Sequence, residues 1–98
     1  MSTENTMDTM KARVGEPLNI RLASTPGTGA IWHLASEPAN TNVRHEDAEP
    51  IGKGVGGPVT QIFVFTAKRA GAYELVFVLK RAWETNVQSR TRVPIVVD

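Results

Sequence analysis

Few residues of this chain could perform acid–base or metal chemistry. There are two histidines, His33 and His45, no cysteine, and a carboxylate run at Glu46, Asp47 and Glu49. Covalent catalysis needs a nucleophile held beside a base, and no serine or threonine stands in a recognisable relation to either histidine. His45-Glu46-Asp47-Ala48-Glu49 has the residue types of a metal cluster but no second histidine at a ligand spacing, so it reads as a solvated stretch. Gly52-Lys53-Gly54-Val55-Gly56-Gly57-Pro58 has the composition of a phosphate-cradling loop. Such loops work through a helix N-terminus placed behind them, whereas here an apolar strand pattern follows. The expectation is a protein that is not an enzyme and holds no cofactor or metal.

Binding chemistry is better represented. Ser24-Thr25-Pro26-Gly27-Thr28-Gly29 gathers turn-forming residues directly before Ala30-Ile31-Trp32. Proline fixes φ at the first central position of a type II turn and glycine accepts positive φ at the second, so Thr25-Pro26-Gly27-Thr28 favours that turn. The two tryptophans differ in setting. Trp32 shares a strand face with Ala30 and Leu34, a core position. Trp83 lies in Arg81-Ala82-Trp83-Glu84-Thr85-Asn86, a polar stretch after an apolar strand. A tryptophan beside an arginine outside the core has the composition of an interface hot spot; the alternative is a ring folded back over the end of the domain.

The elements that position these residues are strands. Pro17 to Leu22 alternates, with Leu18, Ile20 and Leu22 on one face and Asn19 and Arg21 on the other. Ala30 to Ala35 is a second strand. Residues 36–58 carry three prolines and four glycines and read as loop with one short strand at Val43 to His45. Val59–Ala67 and Ala72–Lys80 are the central strands, predicted to form a hairpin through Lys68-Arg69-Ala70-Gly71. Tyr73, Leu75, Phe77 and Leu79 share one face. Arg92 to Val97 closes the chain, and Pro94, which cannot donate to a ladder, predicts an edge. No helix-period pattern of useful length is present. About seven short strands at this spacing predict an all-β, immunoglobulin-like sandwich, in which the loops at 24–29, 50–58 and 81–87 share one end.

Composition bounds the rest. The chain has 98 residues, 41% of them hydrophobic and 21% charged, which allows one core that buries roughly 60–70% of the unfolded surface. Residues 1–13 read as a polar, disordered leader and 14–98 as a single domain. A net charge of +1 supplies no field for nucleic acid or an anionic membrane, and neither is an expected partner; a free monomer is. The first sixteen residues lack the apolar run of a signal peptide, so the expected location is left open: cytoplasmic as written, periplasmic or secreted if a leader was removed.

With the loops placed, the sequence resembles the chagasin-like inhibitors of papain-family cysteine peptidases. That family carries three loops at one end of an immunoglobulin-like sandwich. Its Asn-Pro-Thr-Thr-Gly loop, followed by a Trp, is matched by Thr25-Pro26-Gly27-Thr28-Gly29 and Trp32. Its glycine-rich loop is matched by Gly54-Val55-Gly56-Gly57-Pro58 leading into Thr60-Gln61-Ile62-Phe63, and its Arg-Pro-Trp loop by Arg81-Ala82-Trp83-Glu84. The resemblance spans residues 14 to 97. The chain differs from the family pattern at Thr25, Gly27, Ala30, Val59 and Ala82. The resemblance implies a tight, reversible blocker whose first loop lies over the catalytic cysteine and histidine of a papain-family peptidase while the other two grip the cleft. The alternative is a non-inhibitory immunoglobulin-like module that binds another protein.

Overall fold

The computed structural model describes residues 3–24, 29–50 and 58–98. Among the described residues eight strands follow in order: β1 (Thr3–Thr6), β2 (Met10–Ala12), β3 (Leu18–Ser24), β4 (Ala30–Ser36), β5 (Thr41–Pro50), β6 (Val59–Ala67), β7 (Gly71–Arg81) and β8 (Ser89–Val97). They form two facing sheets. One has the order β1-β8-β7-β4, with β2 also paired to β8; the other is β3-β6-β5. This is the predicted immunoglobulin-like sandwich.

Alternation sets which side of each strand enters the core. Ile20 and Leu22 of β3, Phe63 and Phe65 of β6, Leu75 and Phe77 of β7, and Val93, Ile95 and Val97 of β8 make one cluster together with Trp32. Phe63 and Phe77 come from opposite sheets and meet at 4.6 Å between ring centroids. Each such side chain contributes roughly 1.5–3 kcal/mol through removal from water, so sheet-to-sheet packing is the main force holding the two layers together. At the far turn the Tyr73 hydroxyl donates to the Arg69 carbonyl at 2.7 Å, and Gly71 takes φ +150°.

Four features depart from the sequence expectations. The connection at 68–70 is not a hairpin: β6 pairs with β3 and β5, and β7 with β4 and β8. Both strands are apolar enough to lie inside their own sheets, and the short link crosses between layers. Residues 41–50 form a ten-residue strand rather than a loop with a short strand at 43–45. As the outer strand of its sheet β5 needs little apolar surface: Val43 packs against the core, and His45 stacks on Phe63 at 4.8 Å.

Pro94 does not mark an edge, because β8 is flanked by β7 on one side and by β1 and β2 on the other. The N-terminal strands pair with residues 89–92 and 95–97, leaving Val93 and Pro94 unmatched on that side. The missing N–H falls at this change of partner. Residues 3–6 and 10–12, expected to be disordered, run parallel to β8, and Met7 and Met10 cover the core from that side.

Candidate functional site

The strand registers gather the ends that flank the three predicted loops. In the smaller sheet Ser24, Val59 and Pro50 lie in one row across β3, β6 and β5. In the larger sheet Ala30 stands opposite Arg81, with Leu79 opposite Ser89. Each of the segments 25–29, 51–58 and 82–88 thus starts and finishes at one end of the sandwich. The sheets are joined near this end by Trp32, whose indole Nε1 donates to the Ala23 carbonyl at 2.9 Å.

Thr25, Pro26, Gly27, Thr28, Gly54, Val55, Gly56 and Gly57 lie outside the described residues. Gly29, Pro58, Arg81, Ala82, Trp83 and Glu84 lie within them. Pro58 is exposed and leads directly into β6. Past β7 the chain turns tightly: the Glu84 amide donates to the Arg81 carbonyl at 3.1 Å, and Arg81 Nη1 meets Glu84 Oε1 at 3.2 Å. The segment closes where the Gln88 amide donates to the Leu79 carbonyl at 2.8 Å. Ala82 and Trp83 form the apex between the Arg81–Glu84 partners, and Trp83 is 73% exposed. An indole this far out contributes little to the core and presents a large rigid surface to a partner.

The indole also connects two of the predicted loops. Gly29 adopts φ +85°, and a Cβ built on it would stand 2.6 Å from Trp83 Cη2. The ring therefore lies against the backbone that begins β4. The structure holds a feature of each alternative left by the sequence: most of the indole is exposed, and one edge of its ring folds back onto Gly29.

The sequence reading missed the support beneath the site. Gln61, 2% exposed, accepts from the Trp32 amide through Oε1 at 2.7 Å and donates through Nε2 to the Trp32 carbonyl at 3.2 Å. Its Nε2 also lies 3.3 Å from His45 Nε2. One side chain of β6 thus satisfies both main-chain groups of a residue in the opposite sheet. The available signal was a glutamine at the inward period of an otherwise apolar strand, shared with Phe63 and Phe65.

Three connecting segments thus begin and end on one side of the sandwich, with an exposed tryptophan at the apex of one of them. The family pattern described as Chagasin family peptidase inhibitor I42 matches residues 11–97, so the chain belongs to the chagasin family of peptidase inhibitors. No curated protein sequence matches it. Among solved structures it is similar to the cysteine protease inhibitor EhICP2 from Entamoeba histolytica, with TM-score 0.71 and 16% identity over 98% of this chain and 94% of the other. PbICP-C, solved in complex with falcipain-2, gives TM-score 0.72 and 20% identity over 99% and 91%. Amebosin gives 0.65 and 21% over 100% of both. At these identities the structures show the shared fold.

Proposed function

We propose that this protein inhibits papain-family cysteine peptidases by placing the end built from 25–29, 54–58 and 81–84 into the active-site cleft. Membership of a peptidase-inhibitor family makes it a blocker of peptidases rather than an enzyme, and a structural neighbour solved in complex with falcipain-2 supports the cysteine class. The single observation that carries the choice of face is Trp83, exposed at the end of the sandwich where the three predicted loops are anchored.

The mechanism follows from what the cleft demands. A papain-like enzyme cleaves an extended chain whose carbonyl reaches the nucleophilic sulfur. Thr25-Pro26-Gly27-Thr28 favours a type II turn, which keeps its carbonyls from that extended path. Thr25, Pro26, Gly27, Thr28 and Gly29 lie over the catalytic centre. Gly54, Val55, Gly56, Gly57 and Pro58 let one wall of the cleft approach the backbone closely, and Arg81, Ala82, Trp83 and Glu84 grip the other. Packed strands hold the residues that flank every segment, which limits the ordering entropy lost on binding, the way preorganised inhibitors gain affinity. Binding is reversible because no covalent step is involved.

The experiment is a titration of papain, or of a cathepsin, with the purified protein, repeated with Pro26→Ala. Wild-type protein abolishes activity near equimolar ratio, and Pro26→Ala weakens inhibition about tenfold or more, the scale of losing a preorganised contact. Full peptidase activity at micromolar wild-type protein refutes the proposal and leaves a module that binds some other protein.

A further inference from the structure

The contact between Gly29 and Trp83 is closer than any side chain on residue 29 would allow. An ideal Cβ there would meet Cη2, Cζ2 and Cζ3 of the indole at 2.6, 3.3 and 3.4 Å. The six-membered ring therefore rests on the bare α-carbon of Gly29. The register explains how it gets there: Ala30 stands opposite Arg81, so Gly29 is next to the start of the turn that carries Trp83, and the ring reaches back across the strand end. Most of that ring faces water, so the hydrophobic core does not fix its direction.

We propose that Gly29 is a positioning residue for Trp83: it has no side chain so that the indole can be seated on it, which sets the direction of the anchor before a peptidase arrives. The inference rests on reading Trp83 as a peptidase anchor and adds how that anchor is held. A Cβ at position 29 would collide with the far end of a water-facing side chain. The collision is relieved when the indole swings away and the backbone stays where it is. The fold survives and the anchor is misdirected. An inhibitor with a mobile anchor must order it on binding, and affinity falls by that entropy. The glycine thus has two separable duties, a positive φ that non-glycine residues rarely adopt and an open seat.

Asparagine separates them, since it tolerates the left-handed region better than alanine and carries the same Cβ. The test compares Gly29→Ala, Gly29→Asn, Trp83→Ala and the two double variants by papain titration and by NMR. The wild-type protein shows a nuclear Overhauser contact between the Gly29 α-protons and the six-membered ring of Trp83. Both Gly29 variants stay folded, and their Trp83 ring shifts move toward those of a freely rotating indole. Each weakens inhibition about tenfold, as expected for an anchor that has lost preorganisation, and costs nothing further in the Trp83→Ala background. Inhibition restored by asparagine, or an equal cost in both backgrounds, overturns the proposal and leaves Gly29 acting through its turn or through its own contact with the peptidase. So does an absent Overhauser contact in the wild type. That last measurement needs no peptidase, so the seat is decided even where papain is not inhibited.

Discussion

In the proposed function Trp83 serves binding, whereas Gln61 serves folding. Trp83 is exposed, so Trp83→Ala leaves the thermal midpoint nearly unchanged, as surface substitutions within about ±0.5 kcal/mol do. It weakens peptidase inhibition by about 2–4 kcal/mol, the cost of truncating an interface anchor, measured as the rise in inhibition constant. Gln61→Ala does the reverse. It leaves the amide and carbonyl of Trp32 without their partners, at a cost of about 1–3 kcal/mol in stability. In a domain of this size each kcal/mol lowers the melting temperature by roughly 4–8 °C, which a thermal scan reads directly. Trp83 was legible in the sequence because its neighbours are polar and the preceding strand ends at Arg81. Gln61 was not, because an amide inside an apolar strand does not announce which main chain it will meet.

Strands were legible where one face alternates or the whole run is apolar, as in β3, β4, β6 and β7. The borders of β6 fall where the pattern put them. Legibility failed where an element borrows its stability from a neighbour. β5 is polar because its outer edge faces water, and β1 is polar because it is held by main-chain pairing and charge. The link between β6 and β7 looked like a hairpin because local sequence reports a reversal of direction but not which sheet receives the returning strand.

The charges on β1 give a pH prediction. Arg92 of β8 binds Glu4 of β1 and also holds Glu74 of β7 at 2.9 Å. Hydrogen bonding to Arg92, and then its positive charge, hold the Glu4 carboxyl below the ordinary glutamate range. A carboxylate whose pKa is lower folded than unfolded stabilises the fold above its ordinary pKa, and that stabilisation is lost as pH falls through the lowered value. The protection factors of the Thr3–Thr6 amides, taken against the intrinsic exchange rate at each pH, will accordingly fall on acidification through that range, and also when salt screens the exposed ions. Arg92→Gln produces the same loosening at neutral pH and removes most of its salt dependence.

At the scale of the whole molecule, the sandwich fixes the ends of three segments on one side while its core lies elsewhere. Phe77→Ala, at a fully buried position shared by both sheets, costs about 3–5 kcal/mol and lowers the melting temperature accordingly. Any inhibition it loses will track the unfolded fraction, unlike that lost in Trp83→Ala. The all-β class and the common end for the loops followed from strand spacing and the glycine and proline punctuation, since chain reversals at regular intervals leave few other architectures. The Gly29–Trp83 contact did not follow, because it depends on how one strand end meets another. The most direct measurement of the central claim is residual papain activity against added protein. A linear fall to zero near one inhibitor per enzyme is predicted. Undiminished activity at micromolar inhibitor contradicts it.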